Sequence, residues 1–321
     1  MISSDNIRAA TEAIDPVFRH TPQYRSEELS ARLEVSLLCK IESANPLGSF
    51  KGRGADWWFT RHTGLSRVVC ASAGNFGQAI AYVGRRAGVA VEVFAAETAN
   101  PAKVQAMQRL GAQVHQRGRD FDAAKEEAAQ FAKAHGCRFV EDGREDELAE
   151  GAGTMALELG AYPDAIDIIY VPLGNGALLN GVGSWFKSQS SHTKVVGVCA
   201  EGAPAMARSW RQGQAISTDA ADTIADGIAV RTPILESLLH LRAAADDVVL
   251  VSEAQIMRAM RAYFECERLV TEPAGAVSLA AAMDHAQDDR GKTVATLVCG
   301  SNIDPRHRDA WLGMAAPPDA A

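Results

Sequence analysis

The sequence has no run of basic residues. Its 32 Lys and Arg are outnumbered by 40 Asp and Glu, for a formal net charge of −8, which argues against nucleic acid as a partner because phosphate contacts demand clustered cations. No apolar run approaches membrane-spanning length. The opening MISSDNIRAATEAIDPVF puts acids and polar residues where a signal peptide needs an apolar segment. There is no C-x-x-C pair: Cys39, Cys70, Cys137, Cys199, Cys266 and Cys299 lie far apart. That spacing suits a reducing cytoplasm better than a disulfide framework or a zinc site. Internal repeats are missing too, and the terminal GMAAPPDAA (313–321) reads as a frayed tail. What remains is an ordinary balance of 47% hydrophobic and 22% charged residues. It belongs to a globular enzyme with a sizeable core, at a length of 321 residues that suits one or two lobes.

Valine- and isoleucine-rich runs alternate with alanine-rich stretches of helical spacing. Strands are expected at 35–42, 67–72, 89–96, 112–116, 137–141, 165–172, 194–201, 247–252 and 293–300. Helices are expected in NFGQAIAYVGRRAG, PAKVQAMQRLG, FDAAKEEAAQFAKAHG and SEAQIMRAMRAYFECERL, the last opening on a capping box at Ser252. This alternation implies an α/β fold with mainly parallel sheets covered by helices on both faces. The stretch 67–141 holds enough βα units for a small lobe, and the acidic EDGREDELAEGAG (141–153) reads as the return to a larger one.

Several short stretches offer chemistry beside a plainer structural role. YVPLGNGALLNGVG (170–183) is a strand, a glycine-rich turn and a helix start, a cradle of N–H groups that suits phosphate. It is equally a tight turn. Its G-x-G-x-x-x-x-G spacing, with Glu201 ending the next strand, also keeps dinucleotide binding open. SAGNFGQAIAY (72–82) places Ser72, Gly74 and Asn75 at a helix start, where a carboxylate can be held or the helix simply capped. In GSFKGRG, Lys51 opens a helix beside Phe50. The positive end of the helix dipole and desolvation both disfavour an ammonium there, so the residue reads as an uncharged, imine-forming or proton-shuttling amine rather than a salt-bridged one. VCGSNID (298–304) ends a strand, and Cys299 or Ser301 could face a ring nitrogen; a buried structural cysteine is the alternative.

Taken in order, NPLGSFKGRGA, SAGNFGQ, PLGNGALL, DGIAV (226–230), TEPAGA (271–276) and VCGSNID resemble the pyridoxal-phosphate enzymes of fold type II, in particular the serine/threonine dehydratase and serine racemase group. The likeness runs from about Thr21 to Asp304. It implies two lobes, each a mainly parallel twisted sheet flanked by helices: a large cofactor-binding domain of residues 1–63 and 146–321, and a small, mobile, inserted domain of residues 64–145. It implies pyridoxal 5'-phosphate as cofactor, held by Lys51 as a Schiff base, with Phe50 near the ring and Asn75 on its phenolic oxygen. Gly174, Asn175, Gly176, Ala177 and Leu178 would hold the phosphate, in place of a loop with two more glycines. Cys299 or Ser301 would meet the pyridine nitrogen. Ser72, Ala73, Gly74, Asn75 and Phe76 would hold the substrate carboxylate.

The implied reaction is loss of water from a β-hydroxy-α-amino acid, giving a 2-oxo acid and ammonia. A thiol or hydroxyl at the ring nitrogen does not enforce its protonation, so prompt loss of a β-substituent is favoured over a long-lived carbanion. Ala73 stands where racemases of the group carry a serine, which places racemisation below elimination. Phe76 replaces the group's histidine and suggests a bulkier or less polar β-substituent, a β-aryl one included. Glu201 and the carbonyl of Ala205 match two ligands of a divalent-cation site, but Ala207 replaces a third, an aspartate, and no metal is expected. β-Replacement, NAD-dependent oxidoreduction and non-catalytic binding of cofactor or amino acid are the remaining readings. The implied partners are a small amino-acid substrate and a second copy of the chain in a homodimer, in the cytoplasm. The C-terminal allosteric domain of biosynthetic threonine dehydratases is not expected.

Overall fold

A computed structural model describes residues 1–189 and 192–312, so the tail at 313–321 lies outside the described residues. They form the strands β1 (Gln23–Arg25), β2 (Ser36–Ile41), β3 (Arg67–Ala71), β4 (Ala90–Ala95), β5 (Gln113–Gln116), β6 (Arg138–Val140), β7 (Ile168–Pro172), β8 (Lys194–Ala200), β9 (Asp247–Val251) and β10 (Thr293–Val298). Every expected strand is present, trimmed by up to a few residues. The addition is β1, whose short polar QYR carries no periodic signal. It pairs antiparallel with β2, and the rest of that sheet is parallel.

The strands make two sheets, one of six in the order β1-β2-β10-β7-β8-β9 and one of four in the order β5-β4-β3-β6. Both are buried on two faces, which is why their strands read as continuous apolar runs. Along β2, Leu37, Cys39 and Ile41 enter one core while Leu38 enters the opposite one. Along β7, Ile168 and Tyr170 face one side, Ile169 and Val171 the other. Val68 and Cys70 of β3 likewise oppose Val69 and Ala71. The expected helices follow: Asn75–Arg86, Pro101–Arg109, Phe121–His135 and Glu253–Glu267. The Ser252 capping box closes as expected, with the Gln255 side chain accepting from the Ser252 N–H at 2.7 Å. No helix among the described residues is long and apolar enough to cross a membrane.

Parallel strands put all their C-terminal ends on one side. The ends of β3, β7 and β10 therefore bring the loop at 72–76, the turn at 174–176 and Cys299 to one cleft, with the helix Lys51–Arg61 opening beside them.

Candidate active site

Lys51 owes its place to a pinned loop. Asn45 donates to the carbonyls of Glu42 (2.7 Å) and Ser49 (3.0 Å) and accepts from the Leu47 N–H. Ser49 bridges to Gly300, and the Phe50 N–H bonds the Cys299 carbonyl at 3.0 Å. Lys51 is then the first residue of its helix, its Nζ 4.7 Å from the Phe50 ring centre and 5.8 Å from that of Phe76. Two residues on, buried Arg53 ties the same helix down, giving Glu42 and Glu158 two hydrogen bonds each at 2.7–2.9 Å. Buried Lys40 completes this knot, donating to Glu158.

The reading of Lys51 as an amine without a carboxylate partner is corrected. Its Nζ sits 2.7 and 2.8 Å from the two oxygens of Asp142, an ion pair with both side chains about one-sixth exposed (16% and 17%). Asp142 lies in the acidic segment that the sequence offered only as the return to the larger lobe, 91 residues away in the chain. Gly143 fixes it there: with φ at +92°, a Cβ on Gly143 would stand 2.5 Å from the Asn175 carbonyl oxygen. The return segment thus rests directly on the 174–178 turn.

That turn forms as the sequence implied. Gly176 has φ of +98°, and a Cβ there would meet Ser237 Oγ at 2.0 Å. Ser237 in turn donates to the Asn175 carbonyl at 2.5 Å and accepts from Asn180 at 3.0 Å. The backbone N–H groups of Asn175 to Leu178 have no acceptor among the described residues, at the start of the helix Ala177–Gln189. This is an anion cradle. A second one lines the same cleft. Ser72 Oγ accepts from the N–H groups of Gly74 (3.1 Å) and Gly77 (2.9 Å), so the hydroxyl does cap the helix, while the N–H groups of Ala73, Asn75 and Phe76 are left without acceptors among the described residues.

Cys299 and Ser301 separate clearly. Cys299 lines the cleft, its thiol 3.4 Å from the Ala274 carbonyl and pushed well above its ordinary range by burial. Ser301 does not line it; its hydroxyl contacts the Gly48 carbonyl at 3.4 Å. Glu201 and Ala205 also lie off the cleft, Glu201 being exposed. The His, Cys and acid grouping with metal-like spacing among the described residues is His62, Glu145 and Glu147, unrelated to that pair.

Sequence reading missed Glu272, although it sits inside the TEPAGA stretch. Fully buried, it accepts from Asn75 Nδ2 at 2.7 Å, and Asn302 donates to the other end of the same amide at 2.8 Å. Burial, helped by the charge of Asp226, pushes its carboxyl up to about 7. Ion pairs bridge the two sheets' halves across the cleft, Lys103 with Asp226 and Arg231 with Asp122.

The cleft has a volume of about 290 Å³ and takes in Lys51, the 72–76 loop, Gly174 to Leu178 and Cys299. A second chamber of about 250 Å³ continues from it past Phe121, Asp142, Asn175 and Val230. The residues fit pyridoxal phosphate: a cradle for its phosphate, a lysine within reach of its aldehyde carbon and a protonated thiol for its ring. A dinucleotide in this cleft would leave Lys51 without a role.

The comparisons agree. A model of the family described as pyridoxal-phosphate dependent enzyme matches residues 14–300. The L-threonine ammonia-lyase of Geobacter sulfurreducens is 35% identical over 303 residues, 93% of this chain and 75% of that protein. Among solved structures, the processed form of threonine deaminase isoform 2 from Solanum lycopersicum superposes with a TM-score of 0.90 at 28% identity, over 98% of this chain and 89% of that one. Maize serine racemase gives a TM-score of 0.89 at 26% identity, over 94% of each chain. By this match across nearly all of its length, the chain belongs to the pyridoxal-phosphate dependent enzymes.

Proposed function

We propose that the protein is a lyase that removes water from a β-hydroxy-α-amino acid, releasing a 2-oxo acid and ammonia. The observation that carries this is that one cleft is lined by Lys51, by both N–H cradles and by a neutral thiol, Cys299. Gly174, Asn175, Gly176, Ala177 and Leu178 would hold the cofactor's phosphate, Phe50 would pack by its ring, and Asn75 would donate to its phenolic oxygen. Bound there, pyridoxal phosphate supplies an electron sink for the pair left at the substrate's α-carbon. The loop of Ser72, Ala73, Gly74, Asn75 and Phe76 takes the substrate carboxylate through its open N–H groups. Lys51 would hold the cofactor, take the α-proton and pass it to the β-hydroxyl, which leaves as water; the enamine released then takes up one water to give the 2-oxo acid and ammonia. The thiol offers the ring a neutral partner, so charge at the α-carbon is short-lived and elimination wins. Similarity to L-threonine ammonia-lyases supports the same reaction.

Racemisation is the second reading, since serine racemases share the fold. Ala73 offers no proton donor on its side of the substrate, which favours elimination. Phe76, buried beside Lys51, favours a β-substituent bulkier than serine's. The small lobe, residues 64–145, closes over the substrate, and the enzyme works as a cytoplasmic homodimer.

The test begins with colour. Purified protein should show a visible absorption band, and borohydride should fix a pyridoxyl label on Lys51. Lys51→Ala should abolish 2-oxo acid release. Kinetics on serine, threonine and a β-aryl serine then rank the side chains, and a clear preference for serine would end the reading drawn from Phe76. Full turnover by the alanine variant would end the whole proposal.

A further inference from the structure

Asp142 presents an unusual electrostatic situation. Among the described residues, Lys51 is the one cation in ion-pair range of it, and that pair uses two N–H groups of the same nitrogen. A lysine nitrogen joined covalently to a cofactor has at most one hydrogen left. The proposed reaction also needs that nitrogen as a base, without its extra proton. A carboxylate only 17% exposed is therefore left short of a counter-charge when substrate binds, before the amine takes the α-proton. The backbone next to it packs closely against Asn175 at Gly143.

The other charges around the second chamber are already matched. Lys125 pairs with Glu141 at 3.1 Å, Glu141 also with Arg144 at 2.7 Å, and Arg231 pairs with Asp122. Asp120 caps the helix Phe121–His135 through the Ala123 N–H at 2.9 Å. No cation lining this chamber is left over for an anionic substituent, and Asp142 stands where it opens from the cleft.

We propose that Asp142 selects substrates whose side chain carries a positive charge, so that the preferred β-hydroxy-α-amino acid bears a second amino group. The inference rests on the dehydratase reading and specifies its substrate class. Reach sets the position of that amino group. Lys51 must lie about 3 Å from the α-carbon to take its proton, so with Nζ where it stands, 2.7–2.8 Å from Asp142, the Asp142 oxygens would lie within about 6 Å of that carbon. An ammonium group on the γ-carbon, or one carbon further out, spans this distance with a normal hydrogen bond. Longer substituents extend into the second chamber.

Binding separates this from turnover. The loaded enzyme is titrated with amino acids that lack the β-hydroxyl, followed by the visible band: L-2,4-diaminobutyrate, its neutral isostere L-norvaline, and L-aspartate. L-2,4-Diaminobutyrate should bind at least about tenfold more tightly than L-norvaline, the size of a charge-assisted hydrogen bond in a part-buried site, and L-aspartate most weakly. Asp142→Asn should bring the first two within about threefold by weakening the diamino ligand alone. Equal wild-type affinities, or a preference that survives Asp142→Asn, overturn the proposal. The wild-type ranking decides the matter by itself if the variant does not load cofactor. Release of 2-oxo acid from threonine or serine, together with an absent charge preference, removes this inference and leaves the dehydratase reading standing. No release from any hydroxy amino acid removes the dehydratase reading itself.

Discussion

Two buried glutamates respond to acid in opposite senses. Glu158 is held down to about 2; its burial alone would raise it, but hydrogen bonds and charge from Arg53 and Lys40 more than offset that. Its folded value lies below the ordinary 4.5, so its contribution to stability is complete above about 4.5 and fades as pH falls toward 2. Glu272, raised to about 7, contributes fully below its ordinary 4.5, and that contribution is lost as pH rises through 7. Melting of the cofactor-free protein between pH 4.5 and 8 should therefore show a downward slope worth roughly 3 kcal/mol, and Glu272→Gln should flatten it. A slope unchanged by that substitution would mean Glu272 titrates normally. At this scale the sequence was a partial guide. Lys51, Asn75 and Cys299 were legible because each sits in a short local pattern. Asp142 and Glu272 were not, because what matters in them is a partner 91 or 197 residues away.

At the scale of elements, the phosphate turn and the lysine helix depend on different supports. Gly176→Ala forces a side chain onto φ of +98° and into Ser237 Oγ, which should cost about 2–3 kcal/mol of stability and most of the cofactor affinity. Adding Ser237→Ala should relieve the collision but not the backbone strain, so the double variant should recover only part of the loss in urea unfolding and cofactor titration. Complete recovery would show the dihedral to be harmless. The lysine helix is tested by Arg53→Met. Removing one partner of a buried ionic cluster leaves Glu42 and Glu158 to share the single charge of Lys40 and should cost about 3–5 kcal/mol, measured by the same unfolding. Strands and amphipathic helices announced themselves through their apolar periods. The helix Asp146–Gly160 did not, because its start lies in an acidic stretch that resembles a linker and its buried face is rich in small residues.

For the whole molecule, the decisive contacts cross the cleft: Lys103 to Asp226, Arg231 to Asp122, and Asn100 to Asp304 at 2.6 Å. Part-exposed ion pairs are individually weak and screened by salt. Raising salt from about 0.1 to 1 M, or combining Lys103→Met with Arg231→Met, should widen the cofactor-free molecule, read as an increased radius of gyration in solution scattering. Unchanged scattering in both cases would show the halves to be fastened by something else. The parallel α/β plan was legible from strand–helix alternation, whereas the pairing across the cleft depends on side chains that only the folded chain brings together. The knot of Arg53, Glu42, Glu158 and Lys40 has a further consequence. Its members do not line the cleft, yet it anchors the segment that presents the reactive amine. A descendant of this gene that lost its chemistry and survived as a mere carrier would shed Lys51 long before it shed Arg53, so a retained arginine there marks ancestry and an altered neighbour marks a change of trade.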